Sequence, residues 1–211
     1  IGPGPWCPPD MPAGAAGLVM LDGLMVRTVR LGRSSSTELL GPSALVRPGE
    51  TAAEADLLPA LSEWQVLRDA QLAVLDRRAT ALIGQWPELT AALCERFLQR
   101  SRSLAYLMAA QHFTRVSDRL LASLWHMASM WGRVTTQGTV VPFRLTHEML
   151  GQVIGARRPT TTQAISALEH EGLLMRDERR HFVLIGDPPQ WDTRQEIAAA
   201  PEGVIAQAAG Y

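Results

Sequence analysis

Lysine is absent from these 211 residues, so all 20 basic side chains are arginine. Every cation is therefore a planar, permanently charged fork suited to phosphate or to a guanine edge. Cysteine is nearly absent too: Cys7 and Cys94 stand far apart, with no CxxC between them. That excludes a disulfide framework and a cysteine-based metal site, and it fits a reducing, cytoplasmic setting. No apolar run reaches the ~18 residues of a membrane-spanning helix, so no membrane partner is expected. The Pro/Gly-rich opening lacks a charged segment followed by an apolar one, so it does not read as a signal peptide. Aromatics make up 6% and charged residues 19%, and the net charge is −1. The chain is not a polycation, and any nucleic-acid role must rest on where the arginines sit. The five histidines, His112, His126, His147, His170 and His181, show no HxH or HxxxH spacing. No nucleophile, base or metal constellation emerges, and the expectation is a non-enzyme without metal or cofactor.

What is present divides into segments. Residues 1–16, crowded with Pro and Gly, read as a flexible arm. Leu18–Leu21 and Leu24–Leu31 flank Asp22-Gly23, which predicts a hairpin turning at that pair. Glu38–Leu40, Ala44–Arg47, Trp64–Leu67 and Gln71–Leu75 read as further short strands, and Arg47–Pro59 as a loop. Asp76 is placed to cap a short helix through Gln85. The first domain, 17–85, is therefore expected to be a small antiparallel β structure with a sensor-like role.

Pro87 suits the first position of a long helix. Along it Leu93, Phe97, Arg100, Leu104, Leu107 and Gln111 alternate spacings of four and three, with Met108 beside them. That narrow stripe is of the coiled-coil type. It packs either on its own β domain or on a second copy. A homodimer seam over 86–112, with Arg100 and Gln111 as polar positions fixing register, is the favoured reading.

Residues 113–187 form a second domain and 188–211 a polar, Ala-rich tail. Arg115–Trp131 is amphipathic, and Val134–Thr136 and Val140–Phe143 pair about Gln137-Gly138. Thr146 caps a helix whose apolar side is Met149, Leu150, Val153 and Ile154, and Gly155 ends it. Pro159 opens the next helix, whose buried stripe is Thr161, Ala164, Ile165 and Leu168. The opposite face offers Arg158, Thr162, Gln163 and Ser166. Leu173–Leu184 reads as a hairpin carrying Arg176, Arg179, Arg180 and His181. Two short helices joined by a Gly turn, the second polar near its start, fit the DNA major groove. The candidate DNA contacts are Thr146, His147, Arg157, Arg158, Thr160, Thr162, Gln163, Ser166, Arg176, Arg179 and Arg180. A winged helix used only for protein contact would present an apolar outer face, which this helix lacks.

Leu145-Thr-His-Glu-Met-Leu-Gly-Gln-Val-Ile-Gly-Ala-Arg-Arg-Pro-Thr-Thr-Thr-Gln-Ala-Ile-Ser-Ala-Leu-Glu-His-Glu-Gly-Leu173 resembles the helix-turn-helix of the Crp/Fnr family of bacterial regulators. The resemblance extends back through the long helix to about residue 17. It implies an α+β chain: an N-terminal antiparallel β-roll (cupin-like), a dimerisation helix and a C-terminal winged helix-turn-helix. In that family the recognition helix typically opens with Arg-Glu and carries another Arg a turn later. Here Arg158 matches the first Arg, Pro159 replaces Glu, and Gln163 stands where the second Arg would be, so a different half-site is expected. The segment Leu40–Glu50 and onward to Trp64 lacks the Phe-Gly-Glu and Arg-Ser/Thr signatures of nucleotide-binding members, and the clustered cysteines of iron–sulfur members are missing. No cyclic nucleotide, cluster or haem is expected; Arg47 and Trp64 are candidate contacts for an unidentified small-molecule effector. The expected partners are double-stranded DNA and a second copy, with RNA polymerase as a further candidate.

Overall fold

The computed structural model describes residues 1–48 and 60–191. Of the loop expected over Arg47–Pro59 and the tail over 188–211, residues 49–59 and 192–211 lie outside the described part.

An antiparallel sheet occupies the N-terminal region. Its strands are β1 (Gly4–Trp6), β2 (Gly17–Leu31), β3 (Ser34–Leu40), β4 (Leu45–Val46) and β5 (Leu61–Leu75), in the order β1-β5-β2-β3 with β4 also on β2. Three sequence expectations are corrected here. The Asp22-Gly23 pair is not a hairpin turn: β2 runs straight through it, with register shifts between Met20 and Met25 that make a bulge. Both flanking runs find their partner on β5, Gly17 facing Leu75 at one end and Arg30 facing Leu61 at the other. Gly23 is still required, since its φ is +109° and an added Cβ would stand 2.5 Å from Ala70 Cα. Bulges with a positive-φ glycine bend a strand without ending it. Correspondingly, Trp64–Leu67 and Gln71–Leu75 are parts of the one strand β5 rather than two.

The third correction concerns the N-terminal arm. Residues 4–6 add an edge strand to β5, Trp6 facing Trp64, and the Ile1 amino group donates to Ala70 O at 2.8 Å. Pro5 is tolerated because an edge strand leaves one row of N–H groups unused. The Trp6 and Trp64 rings meet edge-on at 5.9 Å, covering a core of Leu18, Met20, Met25, Leu40 and Val66.

Asp76 caps α1 (Arg77–Ile83), accepting from Ala79 N at 2.8 Å, and Pro87 opens α2 (Pro87–Ala110), as the sequence indicated. The C-terminal unit comprises α3 (Val116–Trp131), β6 (Arg133–Thr135), β7 (Gly138–Val141), α4 (His147–Val153), α5 (Arg158–His170), β8 (Leu174–Arg176) and β9 (Phe182–Leu184). Its sheet runs β6-β7-β9-β8. Leu120, Leu124, Leu150, Ile154, Ile165, Leu168, Phe182 and Leu184 form its core, each at most 2% exposed. Each such side chain contributes about 1.5–3 kcal/mol by burial. Leu24, at the β2 bulge, joins this same cluster. Trp131 also crosses to the sheet, lying over Gly41 and donating from Nε1 to Pro42 O at 3.1 Å.

Candidate nucleic-acid interface

Helices α4 and α5 owe their crossing to small residues. A Cβ added at Gly151 would sit 2.7 Å from Ala156 O and 3.0 Å from Thr161 Oγ1. Gly155 makes the turn at φ +64°. Thr146 caps α4 by accepting from Met149 N at 3.1 Å. At the other end of α4, Val153 O accepts from Gln111 Nε2 at 2.8 Å and Ile154 O from Arg119 Nη1 at 3.4 Å. Those carbonyls have no intrahelical partner, so side chains of neighbouring elements complete them.

Thr161, Ala164, Ile165 and Leu168 are the buried face of α5. Arg158, Thr162 and Ser166 form a row at spacing four on its other side, with Thr160 and Gln163 beside them, all exposed. Arg144, Thr146, His147, Glu148, Arg158, Arg176 and Arg180 surround one open cleft where α4, α5 and the β8–β9 wing converge. Five of the sequence candidates thus meet in one place: Thr146, His147, Arg158, Arg176 and Arg180. Arg157, Thr160, Thr162, Gln163, Ser166 and Arg179 lie exposed outside that lining. Arg144 and Glu148 line the cleft without having been singled out; a cation two residues before the Thr146 cap was the available signal for Arg144. Four arginines against one glutamate give the cleft a positive field.

The wing is held by its own polar contacts. Asp177 accepts from His181 N at 2.7 Å, and Arg180 takes a positive φ of 64° at the turn. Arg176 is no loose phosphate-seeking cation. Its guanidinium lies 4.3 Å from the Phe182 ring centroid, 3.9 Å from Glu169 and 2.8 Å from His147 Nε2. It braces the wing on the helices. Burial, and then the nearby charges of Arg176 and Arg158, hold the His147 pKa below its ordinary value. The exposed cations of the wing are Arg179 and Arg180.

The expected seam on α2 divides. Arg100 donates through Nε and Nη2 to both carboxylate oxygens of Glu38 at 2.7 and 2.8 Å, and Gln111 serves Val153. Both polar positions therefore point to their own protomer, which corrects the reading of them as interchain register-setters. Leu93 and Leu107 are half-buried, whereas Phe97, Leu104 and Met108 are 41%, 37% and 69% exposed. With Cys94 and Ser101 these make an exposed row, 94-97-101-104-108, whose spacing again alternates three and four.

Of the effector candidates, Arg47 is exposed and Trp64 is buried beneath Trp6, and the groove over Trp64 does not include Arg47. A cavity of about 60 Å³, lined by residues including Leu40, Leu45, Leu107, His126, Met127 and Met130, lies instead between the sheet, α2 and α3. Among the described residues, no group of three or more His, Cys, Asp or Glu could hold a metal ion. Nor, among the described residues, is any helix long and apolar enough to cross a membrane.

Residues 118–190 match the Crp-like helix-turn-helix domain family. The CRP-like cAMP-activated global transcriptional regulator of Mycobacterium tuberculosis is 27% identical over 157 residues, covering 74% of this chain and 68% of the relative. The chain thus carries a Crp-like helix-turn-helix domain over residues 118–190. Its fold is shared with the FixK2 protein of Bradyrhizobium japonicum, at TM-score 0.64 and 16% identity, covering 94% of this chain and 92% of that one. It is shared also with a cyclic nucleotide-binding domain containing protein of Listeria monocytogenes, at TM-score 0.69 and 11% identity, covering 87% and 86%. The N-terminal antiparallel β region, long helix and C-terminal winged helix-turn-helix agree with the fold class read from the sequence.

Proposed function

We propose that the chain is a transcription regulator acting as a homodimer on a palindromic operator in the cytoplasm, without need of a cyclic nucleotide. One observation carries this reading: the cleft that gathers Arg144, Arg158, Arg176 and Arg180 beside the outward row Arg158-Thr162-Ser166. A helix entering the major groove presents its N-terminal residues to base edges, and arginine and glutamine are the forks that pair with guanine and adenine. Arg158 and Gln163 are assigned to bases. Thr146, Arg157, Thr160, Arg179 and Arg180 are assigned to phosphates, which fix position on the duplex.

The proposed organisation has residues 17–85 as the sensor-like unit, 86–112 as the dimerisation helix and 113–187 as the DNA-binding unit. The exposed row through Phe97, Leu104 and Met108 supports pairing of two α2 helices, which would set the recognition helices about 34 Å apart, one turn of DNA. Independence of cyclic nucleotides is supported by the missing ribose- and phosphate-holding signatures. An effector, with Arg47 as its candidate anion partner, would act by binding two orientations of the DNA-binding units unequally. RNA polymerase is the proposed downstream partner.

Selection of bound duplexes from a random DNA pool tests the reading. Enrichment of a two-fold symmetric motif with half-sites about one turn apart is expected. Recovery of unenriched DNA would refute sequence-specific binding, and a single unpaired half-site would refute the dimer.

A further inference from the structure

We infer that Thr162 reads a thymine of the operator through its methyl group, because a relay from the wing occupies its hydroxyl. This rests on the DNA-reading proposal and goes on to assign a base contact. The relay has four members. Arg176 Nη2 lies 2.8 Å from His147 Nε2, His147 Nδ1 lies 2.9 Å from Thr162 Oγ1, and Thr162 Oγ1 lies 3.0 Å from Arg158 O. Arginine can only donate, so it fixes every proton in the chain. His147 Nε2 must accept, its single ring proton is then on Nδ1, and Nδ1–H donates to Thr162 Oγ1. The threonine hydrogen in turn goes to the carbonyl of Arg158. The lowered pKa of His147, from burial and the adjacent Arg176 and Arg158 charges, accords with a neutral ring.

The consequence lies on the groove side. A threonine hydroxyl has one hydrogen and two lone pairs. Here the hydrogen and one lone pair are taken, so Thr162 has no proton to offer. The acceptor atoms of guanine, of adenine N7 and of thymine O4 gain nothing from it. The two bonds also hold χ1 in the one rotamer that reaches the carbonyl four residues back, a choice threonine otherwise shares between two wells. The second lone pair can only accept, from an adenine or cytosine amino group; the γ-methyl is the apolar contact that this exposed residue on the outward row of α5 offers. The apolar feature of the major groove that such a group matches is the C5-methyl of thymine. Hydrophilic as the triplet Thr160-Thr161-Thr162 looks, its members differ: Thr161 is buried and donates to Arg157 O at 3.1 Å, while Thr162 turns outward.

The test uses a duplex recovered from the random pool, with each thymine replaced in turn by uracil, which removes only the methyl. With the wild-type regulator, uracil at one thymine position of each half-site should weaken binding about fourfold per half-site, the worth of one buried methyl. Thr162→Val keeps the methyl and should keep that sensitivity; Thr162→Ser lacks it and should bind thymine and uracil duplexes alike. Uracil tolerated at every position by the wild type would overturn the inference without needing a variant. So would sensitivity kept by Thr162→Ser and lost in Thr162→Val, since the hydroxyl would then be the reader. An enriched motif without thymine overturns this inference alone, whereas a pool with no enriched motif overturns the DNA-reading proposal along with it.

Discussion

Gly151 offers a quantitative test of how α4 and α5 are set against each other. A Cβ there meets Ala156 O at 2.7 Å, and ordinary van der Waals contact begins near 3.4 Å, so relief requires 3.4 − 2.7 = 0.7 Å of opening. The obstructing atom is backbone, fixed further by the 2.8 Å bond from Ala156 N back to Gly151 O. Alanine gains about 1 kcal/mol over glycine in a helix interior, whereas a methyl crowded against backbone costs about 1–3 kcal/mol. Gly151→Ala should therefore be about 0–2 kcal/mol less stable than the wild type in urea denaturation. Gly151→Val adds two further carbons against the same backbone and Thr161, an overpacking cost of about 1–3 kcal/mol more. It should lose about 1–5 kcal/mol in total, and with the tilt of α5 altered it should bind operator DNA weakly even at temperatures where it stays folded. Circular dichroism under denaturant and fluorescence anisotropy with a labelled duplex measure the two effects separately. A valine variant as stable and as tight-binding as the wild type would refute the claim that this close approach positions the recognition helix.

Arg158→Ala should weaken binding to selected duplexes by about 1–3 kcal/mol and relax one base position. An equal loss on random DNA would instead make Arg158 a phosphate contact. Phe97→Glu combined with Leu104→Glu should give a monomer by size-exclusion chromatography with light scattering, and an unchanged dimer would rule out the exposed row as the interface. Leu124, fully buried at 0% exposure, should cost about 2–5 kcal/mol on truncation to alanine, read from the denaturation midpoint. Burial lowers the pKa of His126, whose ring stacks on Tyr106 at 4.9 Å. Because the unfolded chain holds that proton more strongly, unfolding takes up protons below the unfolded value near ~6.5, and stability falls as pH drops through it. His126→Gln should flatten the fall between about pH 7 and pH 5.5; an unaltered slope would assign it to other groups, of which His147 is the nearest in kind.

The C-terminal unit was the more legible part. There the signals are local: the Thr146 cap, Gly155 at positive φ, Pro159 in the first turn, and a buried stripe at helical spacing. Each acts within a turn or two of chain, so the sequence alone places it. The β region was harder because its strands are chosen by distant partners. Asp22-Gly23 has the composition of a turn, yet β5 pairs with both flanks and the same residues serve as a bulge. Residues 4–6 look like an arm until the open edge of β5 supplies a row of hydrogen-bonding groups and Trp64 supplies a ring for Trp6.

The stripe on α2 shows the same division. The alternating spacing of apolar residues was visible in the chain, but which row is outward was not. That was settled by Glu38 and Val153, remote in sequence, which claim Arg100 and Gln111 and leave Phe97, Leu104 and Met108 exposed. What the amino-acid order determined was a winged helix-turn-helix with an arginine-bearing second helix, because capping, turn geometry and periodicity are short-range. Only the tertiary structure decided that Arg176 braces the wing rather than roaming free, and that His147 fills the hydroxyl of Thr162. Those roles depend on three elements meeting, and hydrogen-bond partners 15 and 29 residues apart leave no local trace in a sequence.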